Sequence, residues 1–568
     1  MENTLNVSRE ARARLLNIWL PVCMGLVVSV IALSPVLIHS VTLTSQDEMF
    51  HLARIESLAV ALRHGVFPAK LRPSLLYTYG YGVGFFYPDF FLYLPAGLMC
   101  LGLSLKHAYQ VYLIVSVVLA YTLTAFSVYR LSGSGIAGMV SGSLATTATV
   151  FLGNLYDGSA GMIIAYAFFS AAICGFLLLL KREKYGVFLF CLGILGCLLS
   201  HVISFVMLLF TGMLLLLLSA PLVMEAPVIL ARIIKSGVYC MLFGAAFLLP
   251  MFEQMAHTLY VGMSDRRIYD IREHVASLSE LIGSMGMPLF LLIMITIPGI
   301  CFLHQKKQNV NDLLALLVTV LLLVVAACSQ KFWSLAYRFL GFLQISVRLS
   351  SAISVLGVIL IGLTYARLLS ILLTNTSGTK KRVVMIATMT GCILAAFLMR
   401  KSVDPGLFRE APKSYEIAWD AVQSTGLEWI PYDCYVIDPA QSERSEEENR
   451  GGADGVKHDD GTYYDVYVDL THEYYDVPYL YYYGYQAYLA DDALNPMAVL
   501  TVGKGANGMT RVFLPEGGEG IGHILVTYRK TVVQKLAYCI SLLTFFATVA
   551  ALVFQKHRFG QRAKMTDR

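Results

Sequence analysis

The sequence predicts a polytopic α-helical membrane protein of about twelve transmembrane helices, with an extracytoplasmic all-β domain before the last one. Three observations carry this expectation. Of 568 residues 57% are hydrophobic and only 14% charged, with a mean hydropathy of +0.64, whereas soluble domains carry about a quarter charged. Apolar runs long enough to cross about 30 Å of hydrocarbon recur down the chain. From about 401 to 532 the composition turns charged and tyrosine-rich. The net charge of +5 is small and calls for no nucleic-acid partner. The cysteines lie mostly in apolar segments without CxxC spacing, and only Cys434 falls in the polar region. Neither a disulfide framework nor a zinc site is indicated.

Arg9, Arg12 and Arg14 precede apolar sequence that runs to Ile38, without a convincing cleavage site. This reads as an uncleaved first helix with its N-terminus in the cytoplasm. The stretch 85–103 is ambiguous because it contains Pro88, Asp89 and Pro95. Read as a full span, it would put nearly every later basic cluster outside. Read as re-entrant, it leaves Arg130, the 181–184 cluster, Arg232 with Lys235, Lys306-Lys307, Lys380-Lys381-Arg382 and the tail from Lys556 to Lys564 all cytoplasmic. The positive-inside rule decides for the re-entrant reading. The spans then fall near 16–40, 108–129, 136–153, 160–180, 186–200, 202–219, 237–252, 286–304, 313–329, 349–369, 383–399 and 535–554. The expected division is a transmembrane domain over 1–400 with a long first outer loop at 41–107, a β-rich domain over 401–532, and a final helix with a basic tail over 533–568. Both termini are placed in the cytoplasm of a multi-pass cell-membrane protein.

Within the polar region, period-two runs at Ala498–Val502, Arg511–Leu514 and Ile524–Tyr528 are separated by Gly, Asn and Pro turns. They read as strands of a small sandwich. The acidic 442–460 stretch reads as a loop. The tyrosines from Tyr463 to Tyr488 suit either a sugar-stacking surface or a sandwich core with an interfacial belt.

Directly after the first span comes Gln46-Asp47-Glu48-Met49-Phe50-His51-Leu52-Ala53-Arg54. As a helix, it puts Asp47, His51 and Arg54 at i, i+4 and i+7 on one face, with Glu48 about 100° away. A carboxylate, an imidazole and a guanidinium at a membrane boundary suit chemistry with a phosphate leaving group; a solvated interfacial helix is the plain alternative. Lys70 and Arg72 read as phosphate contacts or headgroup anchors, and Arg348 as a phosphate contact or a snorkelling side chain. Asp89, between Pro88 and Phe90, is costly at bilayer depth and calls for a pairing or substrate-facing role. His201 in its apolar segment reads as a satisfied core residue before a ligand. Asp265-Arg266-Arg267 reads as a solvated face or lid. Asp47, Glu48 and Asp89 offer hard oxygen ligands to a divalent cation, though no spacing demands one.

Several motifs follow in a recognisable order: Asp47, Phe50-His51, Arg54-Ile55, Gly65-Val66-Phe67-Pro68, Gly80-Tyr81-Gly82, Phe86-Tyr87-Pro88 and Tyr93-Leu94-Pro95-Ala96. Leu199-Ser200-His201, Gly341-Phe342-Leu343-Gln344 with Arg348, and Tyr482-Tyr483-Gly484-Tyr485 follow downstream. The chain resembles the bacterial 6-pyruvoyl-tetrahydropterin synthase-related membrane proteins, a group similar to the YfhO-type membrane glycosyltransferases. The resemblance implies a GT-C fold, a polyprenyl-phosphate-linked sugar donor and a catalytic acid in the first outer loop; nothing suggests pterin chemistry. The chain departs from the pattern where relatives carry Arg-Gly-Ala…Glu in the second outer loop, reading Asp157-Gly158-Ser159-Ala160-Gly161-Met162 instead. It departs again at Ile345-Ser346-Val347, in place of an aromatic-Pro-Trp.

Glycosyl transfer from a lipid phosphate needs a base for the acceptor hydroxyl and stabilisation of the leaving phosphate. Asp47 is the expected base, with His51 hydrogen-bonded to hold it. Arg54, Lys70, Arg72 and Arg348 are the expected phosphate contacts. Glu48, Asp89, His201 and Gln344 complete the substrate-facing set. The acceptor is expected to be an envelope glycan, teichoic acid, lipid or protein. A transporter or lipid flippase, or a non-catalytic scaffold for envelope assembly, is the alternative. Transporters commonly show inverted repeats, and none is visible here.

Overall fold

The computed structural model describes residues 15–38, 46–76, 78–264, 270–374, 376–403, 427–434, 455–458, 462–505 and 508–566. The N-terminal arginines, Asp265-Arg266-Arg267 and the acidic 442–460 stretch apart from 455–458 lie outside the described residues.

Among the described residues, eight helices are long and apolar enough to cross a membrane: Asn17–Leu37, Leu105–Ser132, Ala160–Leu180, Met287–Gln305, Asn311–Cys328, Ser346–Leu372, Gly378–Lys401 and Val532–Ala551. Two bent pairs raise this to as many as ten: Gly135–Thr147 with Thr149–Tyr156 at 44°, and Pro227–Phe243 with Ala245–His257 at 72°. The first pair breaks at Ala148, whose ψ of 133° is not helical. Two shorter apolar helices, Gly186–Leu198 and Val202–Leu218, coincide with the remaining two of the twelve predicted segments. The ambiguous 85–103 stretch contains the short apolar helix Phe90–Cys100. Its length is about 16 Å, half of what a span needs.

Contacts gather the chain into two compact units that do not follow its sequential division. The first comprises Met1–Glu56, Asp89–Ile234 and Arg267–Thr425; the second comprises Ser57–Pro88, Lys235–Arg266 and Gly426–Arg568. At the centre of the first unit is Ala160–Leu180, 94% buried over its apolar window. Glycine lets its neighbour come close: a Cβ on Gly193 would lie 2.2 Å from the Ala172 nitrogen. Small residues are what allow backbones to touch where the surroundings are as apolar as the side chains.

The second unit holds seven strands: β1 Val456–Lys457, β2 Thr462–Asp469, β3 Tyr474–Leu480, β4 Tyr485–Ala490, β5 Pro496–Lys504, β6 Met509–Phe513 and β7 Ile521–Tyr528. They form one antiparallel sheet in the order β1-β2-β7-β4-β5-β6-β3, where the sequence reading expected a sandwich. Helical and loop segments of the same unit cover the sheet in place of a second sheet. Phe85 stacks on Tyr482, and Phe86 lies flat on Trp429 with ring centroids 4.3 Å apart. The Gln254 amide donates to Tyr483 O and accepts from Tyr483 N at 2.7 and 2.9 Å, so one side chain satisfies both backbone groups of that residue. Tyr464, Tyr479, Tyr482 and Tyr485 are buried, while Tyr467 and Tyr474 remain exposed. The cluster thus divides between the core and the surface, with Tyr475, Tyr481, Tyr483 and Tyr488 half-buried between them.

Candidate functional site

The helix Gln46–Arg63 forms as the sequence predicts, with Asp47 and Glu48 in its first turn, where the helix dipole favours acids. Asp47 is exposed, whereas Glu48, His51 and Arg54 are buried in the first unit. Arg54 organises this inner face. Its Nη2 meets Asp89 Oδ1 at 2.8 Å, and its Nη1 lies 3.0 Å from His51 Nδ1. A guanidinium only donates, so Nδ1 of His51 must accept, and a neutral ring then carries its proton on Nε2. Burial, then Arg54, then His201 hold the His51 pKa well below the usual histidine value. The expected His51–Asp47 link is therefore replaced. The i, i+3 spacing hands His51 to Arg54, and Asp47 turns elsewhere.

Asp47 turns towards the segment that leads into Ala160–Leu180. Ser159 Oγ lies 3.2 Å from Asp47 Oδ2 and 3.3 Å from Asp157 Oδ2. One hydroxyl proton serves only one of two carboxylates at a time, so Ser159 sits where the two acids converge. Gly158 makes the approach possible: its φ is +74°, and an added Cβ would lie 2.4 Å from the Glu48 Cβ. Tyr112 anchors the same turn from the neighbouring helix by donating to Ala160 O at 2.7 Å.

His201 caps Val202–Leu218, its Nδ1 accepting from the Ser204 backbone N–H at 3.1 Å. This places its proton on Nε2 as well. Burial, then Arg348, then Arg54 lower its pKa to about 3. Gly161 packs against this corner, where a Cβ would lie 2.8 Å from Ser200 O. Arg348 Nη1 donates to Leu343 O and to Gln344 Oε1 at 3.1 and 2.7 Å. Gln344 holds a φ of +68°, a backbone conformation sparsely used by residues other than glycine.

The first unit thus brings together Asp47, Glu48, His51, Arg54, Asp89, His201, Gln344 and Arg348. Lys70 and Arg72 belong to the second unit. Lys70 donates to Gly84 O at 2.9 Å and lies over the Phe247 ring, and Arg72 is fully buried with its guanidinium on Ala69 O and Leu71 O. Arg72 is therefore no headgroup anchor. Asp47, Glu48 and Asp89 do not converge as a ligand set, because Asp89 is held by Arg54 and Glu48 is packed beneath Gly158. Among the described residues no group of three or more acidic, His or Cys side chains is placed to hold a metal ion. Sequence reasoning gave no role to Asp157, Ser159 or Tyr112, although Asp157 and Ser159 stand in the second outer loop where the chain departs from the pattern of its relatives.

No family model matches the chain, and no curated protein matches it. The family resemblance therefore rests on the residues quoted for it, and the link to pterin-synthase relatives is not shown. Among solved structures, the chain is similar to the oligosaccharyltransferase of Archaeoglobus fulgidus (13% identity, TM-score 0.41), covering 76% of this chain and 59% of that one. It is similar to the arabinofuranosyltransferase AftD from Mycobacteria (12% identity, TM-score 0.41), covering 77% of this chain and 29% of that one. It is also similar to ArnT from Cupriavidus metallidurans, solved bound to undecaprenyl phosphate (13% identity, TM-score 0.36), with 72% and 75% covered. The chain thus spans less than two thirds of the first two. Likeness at this level fixes neither activity nor substrate.

Proposed function

We propose that the protein is a GT-C-type membrane glycosyltransferase that moves a sugar from a polyprenyl-phosphate donor to an extracytoplasmic envelope acceptor. The observation that carries the reading is the layering around Gln46–Arg63. An exposed carboxylate, Asp47, stands one turn from the buried Arg54 and the buried, neutral His51, and the half-buried His201 and Arg348 lie in the same unit. An exposed carboxylate is suited to take a proton from an acceptor hydroxyl. The guanidiniums are suited to the charge that grows on a departing phosphate, and the Nε2–H groups of the two histidines add neutral donors. Arg54 is bonded to Asp89 and His51, so its part is to position that layer; Arg348 is the better candidate for direct phosphate contact.

The test is transfer by the purified, reconstituted protein from a panel of polyprenyl-phosphate sugars, guided by comparing envelope glycans of cells with and without it. Transfer from one donor, with a matching glycan lost in the deletion strain, supports the reading. Unchanged glycans and no transfer from any donor reject it.

A further inference from the structure

The first unit carries a cavity at the opposite end of the helices that build the candidate site. Ala160–Leu180 begins beside Ser159 and ends at Lys181. Leu349–Leu372 follows Arg348 and carries Arg367 and Ser370 near its other end. Leu105–Ser132 places Tyr112 near one end and Ser132 at the other. About twenty residues separate the two levels on each helix, or about 30 Å, the thickness of the hydrocarbon core.

This cavity, about 450 Å³, is lined by Leu131, Ser134, Lys181, Leu363, Arg367 and Ser370 among others. Among the described residues lining it, none is acidic. Asp312 does not line the cavity but holds both cations from beside it: Lys181 Nζ at 3.2 Å, and Arg367 Nη2 at 2.7 and 2.6 Å from its two oxygens. Arg367 Nη1 also donates to Asn309 O at 2.6 Å. Two cations against one carboxylate leave a net charge of +1 facing a cavity that is otherwise hydroxyl-bearing and leucine-lined. Nearby, Arg130 stacks on Tyr185 at 3.8 Å, adding a further cation at this level.

We propose that this cavity binds an anionic phosphate ester, presented by a phospholipid headgroup of the leaflet that meets the Lys181 end of these helices. The fixed cation pair matches a single phosphodiester charge, and the leucines match the glycerol and first acyl carbons. Basic cavities between transmembrane helices at headgroup level suit anionic lipids in this way. A zwitterionic headgroup would bring its own cation against the net positive charge. The site is separate from the proposed catalytic one and does not depend on its activity.

The experiment uses the full chain in mild detergent. Native mass spectrometry measures binding of dioleoyl phosphatidylglycerol and dioleoyl phosphatidylcholine, and thermal unfolding is followed with each lipid and with inorganic phosphate. The expected result is a preference for phosphatidylglycerol of about tenfold, the size of one well-placed charge interaction. Lys181→Gln keeps the Arg367–Asp312 pair, and Ser370→Trp fills the cavity without removing either cation; both should fold and lose the preference. Equal binding of the two lipids by the wild type, or a preference kept in both variants, overturns the proposal. Stabilisation by inorganic phosphate with none added by phosphatidylglycerol overturns the lipid as the source of the phosphate.

Discussion

Arg54 and Asp89, thirty-five residues apart, form an ion pair of 2.8 Å between side chains only 3% and 6% exposed. The pair fastens the helix after the first span to the head of the short Phe90–Cys100 helix. It also answers why an aspartate stands between Pro88 and Phe90 in aromatic, apolar sequence.

Breaking that pair should cost more than removing it. Asp89→Asn takes the Asp89 charge away from a buried guanidinium, a loss of about 3–5 kcal/mol, whereas a fully apolar replacement is often near neutral. The thermal midpoint in detergent should fall furthest in Asp89→Asn and Arg54→Met, and less in the double variant Arg54→Met with Asp89→Leu. A double variant worse than either single would show that the two act separately.

Gly158→Ala should disable the site from a distance. The residue sits at φ +74°, and the new Cβ would meet Glu48 at 2.4 Å, so the turn carrying Asp157 and Ser159 has to move. Donor turnover should fall by about ten- to a hundred-fold through misplacement of Asp47's surroundings, while Gly212→Ala, which has open space for its Cβ, should behave as wild type. Normal turnover in Gly158→Ala would detach that turn from the site.

The histidines set a pH window. His51 lies below 6.5 and His201 at about 3 in the folded protein. Unfolded histidines bind protons first, so the stability these residues contribute is complete above about pH 6.5 and is lost as pH falls from there towards the folded values. The thermal midpoint should be level from pH 7 to 8 and drop below pH 6. His51→Gln should drop less steeply, and an unchanged slope would remove His51 from the buried layer.

Topology has its own test. Leu278→Cys, at the start of the helix Leu278–Met285 between the expected spans 237–252 and 286–304 and 53% exposed, should react with an impermeant thiol reagent added outside intact cells. Lys184→Cys, also exposed, should react only after permeabilisation. The reverse pattern would invert the orientation read from the basic clusters.

What the sequence made legible follows from periodicity and what it hid follows from contact across the chain. The apolar segments, the Gln46–Arg63 helix and the strands ending at Lys504, Phe513 and Tyr528 all announce themselves locally. The spacing of Asp47, His51 and Arg54 was equally plain, but not their partners. Asp89 reaches Arg54, and Ser159 reaches Asp47, only through the fold. Arg72 looked like a surface cation because nothing local shows that its own loop carbonyls enclose it. The single sheet escaped notice because alternation reports one buried face and is silent on whether a second sheet or other segments of the unit cover it.

The enzyme reading depends on Asp47. Asp47→Asn keeps the shape and the exposure but removes the base. Purified variant and wild type should bind a polyprenyl-phosphate sugar alike, while the variant transfers it about a hundred-fold more slowly or worse. The direct measurement is glycosyl transfer and donor binding on the same two preparations. Binding retained with transfer lost is the predicted result; an Asp47→Asn protein that transfers sugar at the wild-type rate would contradict the account.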